Sequence, residues 1–327
     1  MQIQQNIDLK NYNTFKVKSI AKYFGQIQNP QDIIDFVDSP VYVKNKKYFL
    51  SGANTIFVND FDGLVIKIDI LKKIIFENDN ELIVKVAENR HDFVLRCTEK
   101  SLVMENLAYI PSNIATAVQN IGAYSEAKDI IETVEINLDT KEIQTIQNSK
   151  CNFYRESVFK NELKDKFIIT HVVFKLKKLN QNYKFNCEYS GIKEKINELF
   201  NLENMRPIDF VEVITQIRKD KLPDWEKITA GSFFKNPVIK NNEREILQKN
   251  FPELKFEVEN GIKLSAQLID MCGFKKNDGK VTYKNHALIL VNEDASGQDI
   301  KNFANQIQNK VEDKFGIFLD PEAIFVE

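Results

Sequence analysis

Apolar positions recur along this chain with two different periods, and the two alternate. Period two marks residues 64–70 (LVIKIDI), 82–86 (LIVKV) and 167–178 (FIITHVVFKLKK), which predicts half-buried β-strands, the last of them the strongest in the chain. Residues 48–58 (YFLSGANTIFV) read as strand, Gly-Ala-Asn turn and further extended chain, and residues 133–147 as a hairpin turning at Asp139-Thr140-Lys141. A helical period begins at His91 and runs to Leu102, with Phe93, Val94 and Cys97 on one face. Residues 178–207 are polar and linker-like around one helical stretch, Ile192 to Phe200. Beyond them, 207–223 is an amphipathic helix ended by Pro223, 266–272 and 299–315 are helical, and 286–293 and 323–327 are strands. In 299–315 the residues Ile300, Phe303, Ala304, Ile307, Val311 and Phe315 form one apolar stripe. The pattern predicts an α+β region to about residue 205 and a smaller α+β unit after it.

Composition narrows the classes. With 45 Lys plus Arg against 47 Asp plus Glu, no charge excess recruits nucleic acid. No apolar run approaches the roughly 18 residues of a membrane span, and the N-terminus has no signal-like apolar core, so a cytoplasmic location is expected. Cys97, Cys151, Cys187 and Cys272 have no metal-binding spacing, and buried reduced thiols are expected, with no metal. Only 11 of the 327 residues are glycine, about half the roughly 7% usual share. His171, inside a strand, reads as structural.

Common catalytic signatures, including G-x-G-x-x-G, the P-loop, H-E-x-x-H and G-x-S-x-G, are missing. Four polar segments remain. Ile110-Pro111 through Gln119-Asn120-Ile121-Gly122-Ala123-Tyr124 could offer backbone N–H groups to phosphate and amides to a heterocycle, or be an ordinary core-to-loop transition. Tyr154-Arg155-Glu156-Ser157 carries either a surface arginine or a planar clamp for a carboxylate. Residues 230–237 (AGSFFKNP) place Ser232 between a glycine and two phenylalanines, a hydroxyl against an apolar wall or a turn serine. Leu319-Asp320-Pro321-Glu322 puts a carboxylate at the start of the final strand, where a solvated turn acid is the plainer reading.

Together, and in this order, these segments resemble the UDP-N-acetylenolpyruvoylglucosamine reductase (MurB) family, in its longer subclass. The resemblance runs from Asn11-Tyr12-Asn13-Thr14-Phe15 to Pro321-Glu322, and Glu188-Tyr189-Ser190-Gly191 resembles that subclass's substrate-capping loop. It implies an α+β fold: FAD-binding subdomains over 1–70 and 71–205, of the vanillyl-alcohol oxidase/p-cresol methylhydroxylase type, and an α+β substrate domain over 206–327. It further implies FAD as cofactor, NADPH as reductant, UDP-N-acetylglucosamine enolpyruvate as substrate, and a monomer without nucleic-acid or membrane partners. Carried over by motif, Ser232 is the proton donor, Arg155 clamps the substrate carboxylate and Glu322 is the acid beside it. FAD would be held by Ser51, Gly52, Ala53, Asn54, Thr55, Ile110, Pro111, Ser112, Ala117, Gln119, Asn120, Ile121, Gly122, Ala123 and Tyr124. Tyr189, Lys221, Asn236 and His286 would hold substrate.

The chain departs from the family where glycine is expected. Ser112 and Ala115 replace glycines, Ser51 to Thr55 is glycine-poor, and Ser125 follows Tyr124. A Cβ at a position needing φ > 0 costs about 1 kcal/mol or blocks close approach of a pyrophosphate. Two readings follow: re-routed loops in an active reductase, or a nucleotide-sugar-binding protein that has weakened or lost its flavin. A related FAD oxidoreductase acting on another carbonyl or sugar is disfavoured by the Tyr189 and Ser232 segments.

Overall fold

A computed structural model describes the chain outside residues 51–53, 71–73, 77–80, 86–87, 104–107, 110–112, 115–117, 119–129, 153–157, 161, 180–191, 200–204, 222–228, 257–264, 275–281, 284–285 and 293. For residues 81, 85, 130–132, 134–135, 160, 199, 221, 229–231, 282–283 and 286–287 it describes the backbone alone. The strands are β1 (Ile3–Asp8), β2 (Ile20–Ile27), β3 (Lys47–Leu50), β4 (Thr55–Phe57), β5 (Phe61–Ile68), β6 (Ile74–Phe76), β7 (Glu81–Lys85), β8 (Leu102–Val103), β9 (Ile130–Asn137), β10 (Ile143–Gln147), β11 (Phe167–Lys175), β12 (Lys177–Lys178), β13 (Thr229–Ser232), β14 (Thr282–Tyr283), β15 (His286–Val291) and β16 (Ile324–Val326). The α-helices are α1 (Pro30–Ile34), α2 (Pro40–Lys44), α3 (Arg90–Glu99), α4 (Asn148–Cys151), α5 (Ile192–Leu199), α6 (Pro207–Lys221), α7 (Asn241–Asn250), α8 (Ser265–Met271) and α9 (Gly297–Phe315). None is long and apolar enough, among the described residues, to cross a membrane.

Contacts divide the chain into two units that interleave in sequence. One comprises Met1–Gln4, Phe24–Gly52 and Leu64–Asp220; the other comprises Gln5–Tyr23, Ala53–Gly63 and Lys221–Glu327. A four-stranded sheet has the order β1-β2-β5-β3, with β3 and β5 parallel.

The first unit is built on an antiparallel sheet of order β10-β9-β11-β7-β6. Its central strand is β11, which explains the apolar run: buried on both faces, it carries Ile168, Ile169, Val172, Val173 and Phe174. The expected hairpin forms, with Ile143 opposite Ile136 and Lys141 taking a left-handed φ of 63° at its turn. The Asn89 side chain caps α3 by accepting from the His91 and Asp92 N–H groups. Phe93, Val94 and Cys97 are buried as expected, and Phe93 packs on Phe174 with ring centroids 5.0 Å apart. The helix ends at Glu99, short of Leu102, because Ser101 turns the chain with φ 55° and Leu102 pairs into β8. Burial holds the Cys97 thiol protonated by raising its pKa; Cys151 is also buried, whereas Cys272 is only half-buried.

The second unit packs α9 and α8 against a three-stranded antiparallel sheet of order β13-β15-β14 and the parallel pair β4–β16. The predicted stripe on α9 is its core face: Ile300, Ala304, Ile307 and Val311 are wholly buried, Phe315 nearly so, and Phe303 packs at the edge. A Ser296–Asp299 capping box starts this helix and Gly316, at φ 68°, ends it. Phe15 joins the same core, its ring edge-on to Phe233 at 6.3 Å, and Phe233 also meets Phe234 and Phe325. The Asn11–Phe15 motif is therefore structural in what it does locally. Asn13 donates to the carbonyls of Leu9 (2.7 Å) and Val17 (2.9 Å) and accepts from the Val17 N–H (3.0 Å), closing the turn that delivers Phe15.

Candidate active site

Within the second unit, three segments far apart in sequence converge through backbone hydrogen bonds. Strand β13 ends at Ser232, which lies opposite Ile289 of β15, and the following N–H of Phe233 donates to Leu288. The Phe233 carbonyl then accepts the Glu322 N–H at 2.7 Å, Phe234 forms a bridge with Pro321, and the Lys235 N–H donates to Asp320 at 2.8 Å. Two residues past Glu322, the Ile324 N–H donates to the Asn54 carbonyl at 2.7 Å, and Thr55 stands opposite Ile324 where β4 and β16 run parallel. Ser232, Glu322, Asn54 and Thr55, separated by up to 268 positions in the chain, thus share one backbone ladder.

Strand alternation decides what faces where. Phe233 is fully buried and Ser232, on the opposite side of the chain, is exposed. The apolar residues beside the serine therefore anchor its strand in the core, and of the two readings of Ser232 the residue's exposure does not favour a hydroxyl held against an apolar wall. Glu322 is half-buried and Thr55 buried. Asn236 is half-buried, and its Oδ1 accepts from the Ser265 N–H at 3.3 Å, while the Ser265 hydroxyl donates to the Lys235 carbonyl at 2.7 Å. Lys221 is the last residue of α6 and His286 the first of β15; their side chains lie outside what the structure describes. Arg155, Tyr189, Ser51, Gly52, Ala53, Ile110, Pro111, Ser112, Ala117 and Gln119 through Tyr124 also lie outside the described residues.

In the first unit, buried charge gathers beside the segment that leads into Ile110. Arg90 and Arg218 are both buried. Burial, together with the nearby Arg218 guanidinium, pulls the Arg90 pKa down to about 10. Arg218 also hydrogen-bonds the Ala108 carbonyl. The next residue, Tyr109, holds a left-handed φ of 51° and donates its N–H to His91 Nδ1 at 3.2 Å. That bond requires an unprotonated Nδ1, and burial lowers the His91 pKa in the same sense, with Lys219 adding to it and Asp92 opposing. Sequence reading missed Arg90, Arg218 and Ser265. The signals were present: a charge at the start of one apolar helix face for Arg90, another within a second for Arg218, and a serine directly before the apolar run 266–271.

Fold and site together define an α+β protein whose second unit brings Ser232 and Glu322 onto adjacent backbone. Residues 223–326 match the C-terminal domain model of UDP-N-acetylenolpyruvoylglucosamine reductase. The Flavobacterium johnsoniae UDP-N-acetylenolpyruvoylglucosamine reductase is 40% identical over 339 aligned positions, covering 98% of this chain and 99% of the relative. That of Aliivibrio fischeri is 38% identical, covering 99% and 95%. The crystal structure of the Thermus caldophilus MurB shares the fold over the full length of both chains, with a TM-score of 0.65 at 17% identity. The chain belongs to the UDP-N-acetylenolpyruvoylglucosamine reductase family.

Proposed function

We propose that the chain reduces the enolpyruvyl ether of UDP-N-acetylglucosamine enolpyruvate to UDP-N-acetylmuramate, a step of peptidoglycan precursor synthesis. In this reading it works in the cytoplasm as a monomer, with FAD held by segments 1–70 and 71–205, NADPH as reductant, and substrate held by 206–327. The observation that carries the reading is the ladder through Phe233, which brings Ser232 and Glu322 onto adjacent backbone although 90 positions separate them.

The described residues bear on the cofactor in one respect: Arg218, buried, hydrogen-bonds the Ala108 carbonyl and so fixes the chain just before Ile110, where one of the proposed flavin segments begins. FAD, when bound, would supply the hydride chemistry. Asn54, Thr55, residues 51–53 and 110–112, Ala117 and residues 119–124 would hold it.

The protein's own part is charge stabilisation and one proton. Hydride addition to the enolpyruvyl carbon leaves negative charge spread onto the substrate carboxylate as an enolate. Arg155 would clamp that carboxylate bidentately, with Glu322 beside it. Ser232 would then deliver a proton to the second carbon, completing the addition of H⁻ and H⁺ across the double bond. An open Ser232 hydroxyl on a strand locked by buried Phe233 suits a donor whose position matters more than its acidity. Lys221 would meet the diphosphate, Asn236 and His286 would add polar contacts, and Tyr189 would cover the nucleotide.

An anaerobic spectrum tests this. NADPH should bleach the flavin, and the enolpyruvyl nucleotide sugar should restore it. Ser232→Ala should slow the recovery about 10²–10⁴-fold while bleaching proceeds. Protein that FAD does not reconstitute, or bleached flavin that the nucleotide sugar leaves unchanged, would overturn the reading.

A further inference from the structure

We propose that Ser265 is a positioning residue for substrate, acting through Asn236. The inference rests on the function proposed above, in which Asn236 faces the nucleotide sugar. Ser265 is completely buried at the first turn of α8. It makes two bonds to the loop that follows Ser232: its hydroxyl donates to the Lys235 carbonyl at 2.7 Å and its backbone N–H donates to Asn236 Oδ1 at 3.3 Å.

The second bond sets the sense of the Asn236 amide. An amide has one oxygen that accepts and one NH₂ that donates, and turning it by half a revolution exchanges them. Here the oxygen is turned inward onto a buried N–H that would otherwise be left unsatisfied, so the NH₂ is the end presented outward. Asn236 is half-buried, which leaves that end reachable. The first bond fixes the carbonyl one peptide earlier, and Lys235 is itself tied by its N–H to Asp320. The amide is therefore delivered from a backbone held on both sides, as a donor and not an acceptor. Its partner on the substrate is an anionic oxygen, of phosphate or carboxylate.

Two consequences separate this from a merely structural serine. Asn236→Asp keeps an acceptor for the Ser265 N–H but replaces the outward donor with negative charge. It should bind the enolpyruvyl nucleotide sugar more weakly than Asn236→Ala, although Ala removes more of the loop's internal bonding. Ser265→Ala frees the Lys235 carbonyl and should raise the dissociation constant about five- to tenfold. In the Asn236→Ala background the same change should add less than twofold, because the group it positions is gone.

The experiment is calorimetric titration of the flavin-loaded protein, without NADPH, by UDP-N-acetylglucosamine enolpyruvate, for wild type, Ser265→Ala, Asn236→Ala, the double variant and Asn236→Asp. Weaker binding by Asp than by Ala, with non-multiplying effects of the two alanines, is the expected result. Asn236→Asp binding as tightly as Asn236→Ala, or multiplying effects in the double variant, would overturn the role of Ser265 while leaving the proposed function standing. Wild-type protein that does not bind the nucleotide sugar would remove both.

Discussion

Replacing Asn13 by alanine should cost the second unit about 3 kcal/mol, although the residue touches no proposed reactant. Three hydrogen bonds are lost, two donated by Nδ2 to Leu9 and Val17 and one accepted by Oδ1 from Val17. At about 0.5–1.5 kcal/mol net for each, their sum lies between roughly 1.5 and 4.5 kcal/mol. The upper half applies to Val17, which is buried and left with an unsatisfied N–H, and the lower half to the Leu9 carbonyl, which keeps the Tyr12 N–H as a donor. At about 2–4 °C per kcal/mol for a domain of this order of size, the midpoint of thermal unfolding should fall about 6–12 °C. Asn13→Asp should be worse than Asn13→Ala at neutral pH, since a carboxylate would face two carbonyl oxygens. Urea unfolding followed by circular dichroism measures both. A loss below 1 kcal/mol for alanine, or an aspartate variant as stable as wild type, would refute the account of this turn.

Two other substitutions test other joints. Gly297→Ala would place a Cβ 1.9 Å from the Phe57 carbonyl oxygen, a backbone atom that cannot swing aside, so α9 must shift from β4. A loss of at least about 1–3 kcal/mol is expected, and an unchanged urea midpoint would contradict the contact. Asp209 accepts from the Arg206 N–H, Nε and Nη2 at 2.8, 3.0 and 2.6 Å, and the Arg206 side chain is the first cause of its lowered pKa. A lowered folded pKa gives stability that is full above the unfolded value near 3.8 and is lost as pH falls through the folded one. Asp209→Asn should therefore cost about 1 kcal/mol at pH 7, the exposed arginine limiting it, and progressively less in acid. A gap between variant and wild type that stays constant to pH 2 would count against this ion pair.

The sequence made the elements with strong periods legible and left the joints dark. Strand β11 and helix α9 were readable because each buries a full apolar set against a core, so its pattern is fixed by packing on every side. Helix α7 went unread because NNEREILQKN offers only Ile246 and Leu247 as apolar residues, and Ile246 is exposed. Strand β1 alternates too weakly, with four of six positions exposed, for a period to show. At the site, residue types in order pointed to Ser232 and Glu322, but no local pattern encodes the bond from Glu322 N–H to the Phe233 carbonyl. Ser265 shows the same limit: it reads as a helix start, and its use is set by a loop 30 positions earlier.

Glycine scarcity is the feature of the sequence that most strained its likeness to a flavin enzyme, and the backbone bears on it. Among the described residues, Asn6, Lys16, Ser101, Tyr109, Lys141, Asn152 and Asp165 all take a positive φ, against only Gly273 and Gly316 among glycines. The chain makes left-handed turns with ordinary side chains in many places unrelated to any cofactor. Ordinary residues in left-handed turns are thus a habit of the described chain, and serine and alanine at 112 and 115 do not by themselves argue for decay of one function. The habit has a measurable cost. Lys16 is exposed at φ 52°, with its N–H bonded to the Asn13 carbonyl, so its side chain contributes strain and little packing. Glycine there removes about 1–2 kcal/mol of left-handed strain and returns about 0.4–1 kcal/mol through the freer unfolded chain. Lys16→Gly should thus stabilise by about 0.5–1 kcal/mol, and Ser101→Gly, exposed at φ 55°, similarly. Urea midpoints decide it. If both variants lose stability, these turns are held by their side chains, and the sparse glycines of the flavin segments need a local explanation after all.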